Sequence, residues 1–276
     1  MNKRHLILGV ALVALLLTGC NRGGKSTSSS NSDTSVTSQT SSIVDDYYKN
    51  IGENLSGNDL LNALNSLNNS RLLKRVGYDE SLNKPASGFY VTDPGISGDK
   101  YSITAFYSGT ERKGTSGMNR EHVWPASRTI GGRGNDPLED DIHMIRPTVV
   151  AENQNRGNSF YVEGMNTEHD GWDPKAAHMD ETFRGDAARI IFYCAIADTR
   201  LRIIDSNSDN MNNHTMGKLS DLLKWNLQYA TAQRENIRNN GAESLQGNRN
   251  PFIDHPEYAC RIWGSTNSTT RNICGM

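Results

Sequence analysis

The sequence predicts an α+β fold: a mainly helical single domain around a small sheet. Three observations carry that expectation. Leucines at 60, 61, 64 and 67 repeat at helical spacing. Two longer stretches, Thr182 to Ile203 and Lys218 to Asn239, do the same. Phe89 to Phe106 is instead rich in aromatic and β-branched residues, broken by "DPGISGD", which suits strands joined by a turn. Helical and strand-like runs kept apart along a chain point to α+β rather than alternating α/β architecture.

The first residues do not belong to that domain. Lys3 and Arg4 precede an apolar run from Leu6 to Leu17, too short for a comfortable membrane span, so 1–19 reads as a signal peptide. Its Leu-Thr-Gly-Cys ending resembles a bacterial lipobox, which implies cleavage before Cys20 and a lipid on that thiol. Residues 20–44 then form a tether dense in Ser, Thr, Gly and Asn. Such a segment buries too little apolar surface to offset its ordering entropy. The domain expected over 45–276 is long enough for a substantial core, and it would stand outside the cytoplasm, anchored to the cell envelope.

Without Lys3 and Arg4, 27 basic residues face 31 acidic ones, so no global field draws a polyanion to this surface. A local patch would have to do so. Arg120, Arg128, Arg133, Arg146 and Arg156 lie near one another in the sequence, although scattered solvated arginines explain the count equally well. Of the three cysteines after Cys20, Cys260 and Cys274 would tie down the C-terminal tail if bridged, and export permits that. Cys194 sits in an apolar helical pattern and should pack as a small hydrophobe.

Within the domain, "MNREHVWPASR" places Glu121 beside His122, and on a strand the two would face opposite ways. Ile142 to Arg146 suits a second strand. Pro147 stands where a helix can begin, and Asn153 and Arg156 would share one face of it. "QGNRNPFIDHPEYA", residues 246–259, has too much Gly, Pro and Asn for helix and reads as an ordered loop, structural in role.

A neutral imidazole takes a proton from water near pH 7. A carboxylate and an amide carbonyl suit a hard divalent cation, and an arginine holds a phosphate with two hydrogen bonds. Taken one at a time these residues are unremarkable surface chemistry; together they suit phosphodiester hydrolysis. Zinc-protease, nucleophile-elbow and phosphate-loop motifs are missing.

"MNREHVWPASR", "GGRGNDPLEDDIHMIRPTVVAENQNRGN" and "LQGNRNPFIDHPEYA" together resemble the bacterial endonuclease I family. These are exported, largely sequence-nonspecific nucleases of the ββα-metal superfamily. The resemblance implies a catalytic His122 that activates water. It implies Glu121 and Asn153 as ligands of one Mg²⁺, with Ca²⁺ or Mn²⁺ as substitutes. Arg133 aligns with the phosphate-binding arginine, and Arg128 competes for that role across a short loop. Arg128 and Arg156 are candidates for substrate binding. Asp141 and His143 would support the site, with a carbonyl or carboxylate from Leu138 to Asp141 orienting His122. The expected substrate is DNA, with RNA as a second candidate, and the expected state is a monomer. The alternative is a surface lipoprotein that binds nucleic acid on a nuclease fold without cutting it. One departure is plain: Asn226 to Ala232 lacks the W-H-x-x-D-P-V run common in the family.

Overall fold

The computed structural model describes residues 44–83, 88–209 and 213–276. The signal peptide 1–19, Cys20 and almost all of the tether lie outside the described residues. Tyr47 to Met276 form one compact unit, and its secondary structure is α+β.

Helix α1 (Gly57–Arg71) follows the leucine spacing and buries Leu60 and Leu64. Two short helices follow, α2 (Glu80–Asn83) and α3 (Phe89–Thr92). Strand β1 (Ser102–Thr104) pairs antiparallel with β2 (Glu111–Lys113), and β3 (Met118–His122) pairs antiparallel with β4 (Ile145–Val149). Helix α4 (Val150–Arg156) leaves β4 directly. Helix α5 (Phe183–Ala197) is central: Ala197 alone escapes burial. The helices that follow are α6 (Leu219–Gln228), α7 (Gln233–Gln246), α8 (Pro251–Asp254), α9 (Tyr258–Trp263) and α10 (Ser268–Cys274).

The core has two parts. The larger gathers Leu60 and Leu64 of α1, the apolar length of α5, and Leu219, Leu222 and Trp225 of α6. Helix α5 is buried on nearly every side, its Arg184, Asp186 and Arg189 paired with Asp173, Arg234 and Glu235, which makes it the hub. The smaller part packs Phe89, Ile103, Met118 and Ile145 against Ala242 of α7. Behind β4, Arg146 donates from Nε to Asp93 Oδ1 at 3.0 Å. Arg238 of α7 also pairs with Asp93 and donates to the carbonyl of Ile145 at 2.6 Å. Two buried arginines on one buried carboxylate thus fasten the strand to the helical layer.

Five local expectations are corrected. The helix expected over Thr182–Ile203 ends at Ala197, and Arg202–Ile203 is a short strand. Phe89–Thr92 is helical rather than extended. Gly88 sits at φ +51°, and Phe89 is pulled fully into the smaller core, so tertiary burial overrides strand propensity. Lys218–Asn239 is two helices, because the Glu235 carboxylate accepts from Ala232 N at 2.9 Å and starts α7 afresh. The stretch 246–259 contains α8, begun by Asn250, whose side chain accepts from Phe252 N, with Pro251 at the first helical position. Pro147 lies inside β4, opposite Arg120, and α4 begins at Val150. The backbone of Pro147 points away from β3, its carbonyl accepting from Phe106 N at 2.7 Å. Its missing N–H therefore removes no bond to β3.

Cys260 and Cys274 are joined with a Cα–Cα distance of 5.6 Å, and Cys194 is free and buried in α5. Among the described residues no helix is long and apolar enough to cross a membrane.

Candidate active site

Strands alternate their side chains, and β3 uses that alternation to serve two environments. Glu121 turns inward and is 2% exposed. Its Oε1 accepts from the Tyr107 hydroxyl at 2.5 Å and from Arg156 Nε at 2.6 Å. The Tyr107 hydroxyl also lies 2.6 Å from that of Tyr161. Burial raises the Glu121 pKa, and the guanidinium of Arg156 and the tyrosine hydroxyls oppose that shift. Both of these bonds fall on Oε1, and Glu121 also lines a small polar cleft.

His122 turns the other way. Its Nε2 lies 3.1 Å from the Glu139 carbonyl oxygen. A carbonyl can only accept, so Nε2 carries the proton and Nδ1 keeps a free lone pair. Burial is the main cause that pushes the His122 pKa down to about 4, with Arg133 and Arg156 adding to the effect. The ring is therefore neutral at pH 7. Its face is stacked on Tyr78, centroids 5.1 Å apart.

Asn153 and Arg156 share one face of α4 because they are three residues apart, but they reach different depths. Asn153 lines the cleft, and its side-chain amide has no hydrogen-bond partner among the described residues. Arg156 is 1% exposed, paired with Glu121, and donates to the carbonyls of His122 and Val123.

The other sequence candidates divide as clearly. Arg133 is exposed at the cleft mouth, and its guanidinium has no partner among the described residues. Arg128 is buried, donates to the carbonyl oxygen of Asn158 at 3.1 Å, and lies over the ring of Phe160. Asp141 accepts from the Tyr193 hydroxyl at 2.8 Å and from Gln246 Nε2 at 2.8 Å, and no bond of its carboxylate goes to His122. His143 Nε2 meets the Asn248 carbonyl at 3.1 Å. Asp141 and His143 thus hold the loop before β4 against α5 and the 246–248 segment.

The structure therefore brings Glu121, His122, Asn153 and Arg133 to one cleft of about 100 Å³. A wider lobe of about 550 Å³ opens beside His122 and Arg133. Sequence reasoning missed Tyr78, Tyr107 and Tyr161. Each reads as an ordinary aromatic, and Tyr107 stands at φ +74°, which no local motif announces.

Chemically, the cleft offers a proton acceptor at Nδ1, two hard oxygen donors on Glu121 and Asn153, and an unpaired cation. Among the described residues no group of three His, Cys, Asp or Glu side chains converges that could hold a metal ion. These features define an α+β protein with a small polar cleft on a strand pair and its following helix.

Residues 83–257, well over half of the chain, match the family Endonuclease I. The chain belongs to the endonuclease I family. An extracellular ribonuclease of Bacillus amyloliquefaciens is 42% identical over 163 residues, covering 52% of this chain and 53% of that protein. An extracellular ribonuclease of Bacillus subtilis (strain 168) is 38% identical over 161 residues, covering 52% and 54% respectively. The chain spans about half the length of these curated relatives.

Proposed function

We propose that this chain is an exported, Mg²⁺-dependent endonuclease that hydrolyses phosphodiester bonds of DNA and RNA with little sequence specificity. The single observation that carries the reading is the meeting of His122, Glu121, Asn153 and Arg133 at one cleft. Family membership supports the reaction class, and the two relatives named extracellular ribonucleases support export and bring RNA forward as a substrate. We read β3, β4 and α4 as a ββα-metal motif, residues 1–19 as a signal peptide and Cys20 as the lipid anchor.

In this reading His122 is the general base. Its Nδ1 takes the proton of an attacking water, while the Glu139 carbonyl steadies Nε2–H. Arg133 binds the phosphate, because it is the exposed arginine of the cleft that is not already engaged; Arg128 and Arg156 keep to bonds within the protein. The Glu121 carboxylate and the Asn153 carbonyl oxygen would hold Mg²⁺, and both are hard oxygen donors of the kind that ion selects. Bound there, the ion would supply positive charge against the reacting phosphate. Arg156 and Tyr107 fix the Glu121 rotamer from behind. Contacts of this kind address the phosphate backbone rather than base edges, which fits non-specific cutting.

The test is digestion of plasmid DNA and of RNA by the purified chain, with and without EDTA, beside His122→Ala. EDTA should stop cleavage, and the variant should lose on the order of 10²-fold or more in rate while still binding nucleic acid. Binding without EDTA-sensitive cleavage would instead identify a non-catalytic binding lipoprotein.

A further inference from the structure

Tyr78 has no part in the chemistry above, yet it touches the general base. Arg120 and His122 are two apart on β3 and so share a face, and Tyr78 packs against both. Its ring lies nearly parallel to the imidazole, 11° between planes, and the Arg120 guanidinium carbon is 4.7 Å from its centroid. The half-buried ring lines both lobes of the cleft. No hydrogen bond engages its hydroxyl among the described residues.

One turn grips both aromatic partners. Pro137–Asp140 is a short 3₁₀ helix. Glu139 offers its carbonyl to His122 Nε2. Asp140 Oδ1 accepts from Tyr78 N at 2.8 Å, and the Asp140 carbonyl accepts from Gly77 N at 3.0 Å. A single hydrogen bond at Nε2 fixes one direction of the imidazole but leaves it free to swing about that bond. A flat ring against its face removes the remaining freedom.

We propose that Tyr78 is a positioning residue for the hydrolysis: its ring, anchored through Asp140, holds the His122 imidazole in the plane that aims Nδ1 into the cleft. The inference rests on His122 being the general base.

The experiment measures kcat and KM for Mg²⁺-dependent cleavage of a fluorogenic DNA oligonucleotide by the wild-type chain, Tyr78→Phe, Tyr78→Ala, Asp140→Ala and His122→Ala, with folding checked by circular dichroism. Tyr78→Ala should lower kcat roughly 10-fold with KM little changed, since small misplacement of a catalytic group is costly. Tyr78→Phe should restore kcat to within about 2-fold, because stacking needs the ring and not the hydroxyl. Asp140→Ala, at an exposed position, should lower kcat in the same sense and carries the test if Tyr78→Ala does not fold. Wild-type kcat in a folded Tyr78→Ala overturns the proposal, as does wild-type kcat in Asp140→Ala if Tyr78→Ala does not fold. So does a Tyr78→Phe variant as impaired as Tyr78→Ala with a raised KM, which would mark the hydroxyl as a substrate contact. A wild-type chain that does not cut sinks the nuclease reading itself; a cutting chain with inactive His122→Ala but normal Tyr78 variants sinks the stack alone.

Discussion

Arg156 donates from Nε to Glu121 Oε1 at 2.6 Å across the junction of β3 and α4, with side chains 1% and 2% exposed. Burial alone would lower the arginine's pKa, but the Glu121 carboxylate and the neighbouring tyrosines hold it raised. The pair would join stability to the proposed function, because the carboxylate held by Arg156 also lines the cleft. Arg156→Met would leave that carboxylate buried without its partner. We expect a loss of about 3–5 kcal/mol, as for other broken buried pairs, seen as a lower urea midpoint. Arg156→Lys should recover part of it, since an ammonium cannot reproduce the planar fork. An unchanged midpoint in Arg156→Met would show the pair to be energetically idle.

The two candidate clamps should separate on two axes. Arg133→Ala should cut kcat/KM by roughly 10²-fold, the scale for one lost transition-state donor, and leave the urea midpoint almost unmoved. Arg128→Ala should do the reverse. It loses a bond to the Asn158 carbonyl and the packing over Phe160, which predicts about 1–3 kcal/mol of destabilisation with cleavage by the folded fraction retained. Exchange of these two outcomes would make Arg128 the phosphate clamp.

Stability should fall in acid partly through His143. Burial pushes its pKa down to about 4, below the ordinary 6.5. Between those values the unfolded chain binds a proton that the folded chain does not, so stability rises with pH through this window. The full contribution is present above pH 6.5, and about 3 kcal/mol of it is lost by pH 4. Urea titrations at pH 7, 5.5 and 4 should show a shallower pH dependence for His143→Gln. The slope should shrink rather than vanish, because His122 is depressed in the same direction. Parallel pH curves for the two proteins would contradict this.

The C-terminal bridge closes a short loop, with Cys260 and Cys274 separated by 14 positions. Replacing both by serine should cost about 3 kcal/mol, the loop-closure scale for this length. Thermal melts of the oxidised wild type and the double variant would measure it, and dithiothreitol should shift the wild type alone. Equal melting temperatures would show that the bridge contributes nothing to stability.

The helices with a clean apolar stripe were legible in the sequence. The spacing of Leu60, Leu61, Leu64 and Leu67 predicts α1, and the dense apolar run of α5 predicts its burial. The Phe89–Thr92 turn and the break before α7 were not legible. Each depends on what packs against it: Phe89 enters the smaller core and Glu235 caps its own helix.

For the site, local pattern and family resemblance together singled out His122, Glu121, Asn153 and Arg133 as candidates, and adjacency on a strand already implied that Glu121 and His122 face apart. The resemblance favoured Arg133 as the phosphate-binding arginine and kept Arg128 as its competitor. The difference between them is burial, which depends on where Asn158 and Phe160 lie in space. Nor does any spacing announce that Tyr107 and Arg156 close on one oxygen of Glu121, or that one turn grips both His122 and Tyr78. A residue's chemistry and the face it takes on an element are local properties, set by side-chain type and backbone period. Its partners, exposure and proton affinity are properties of the packed chain, because they depend on which distant groups exclude water around it.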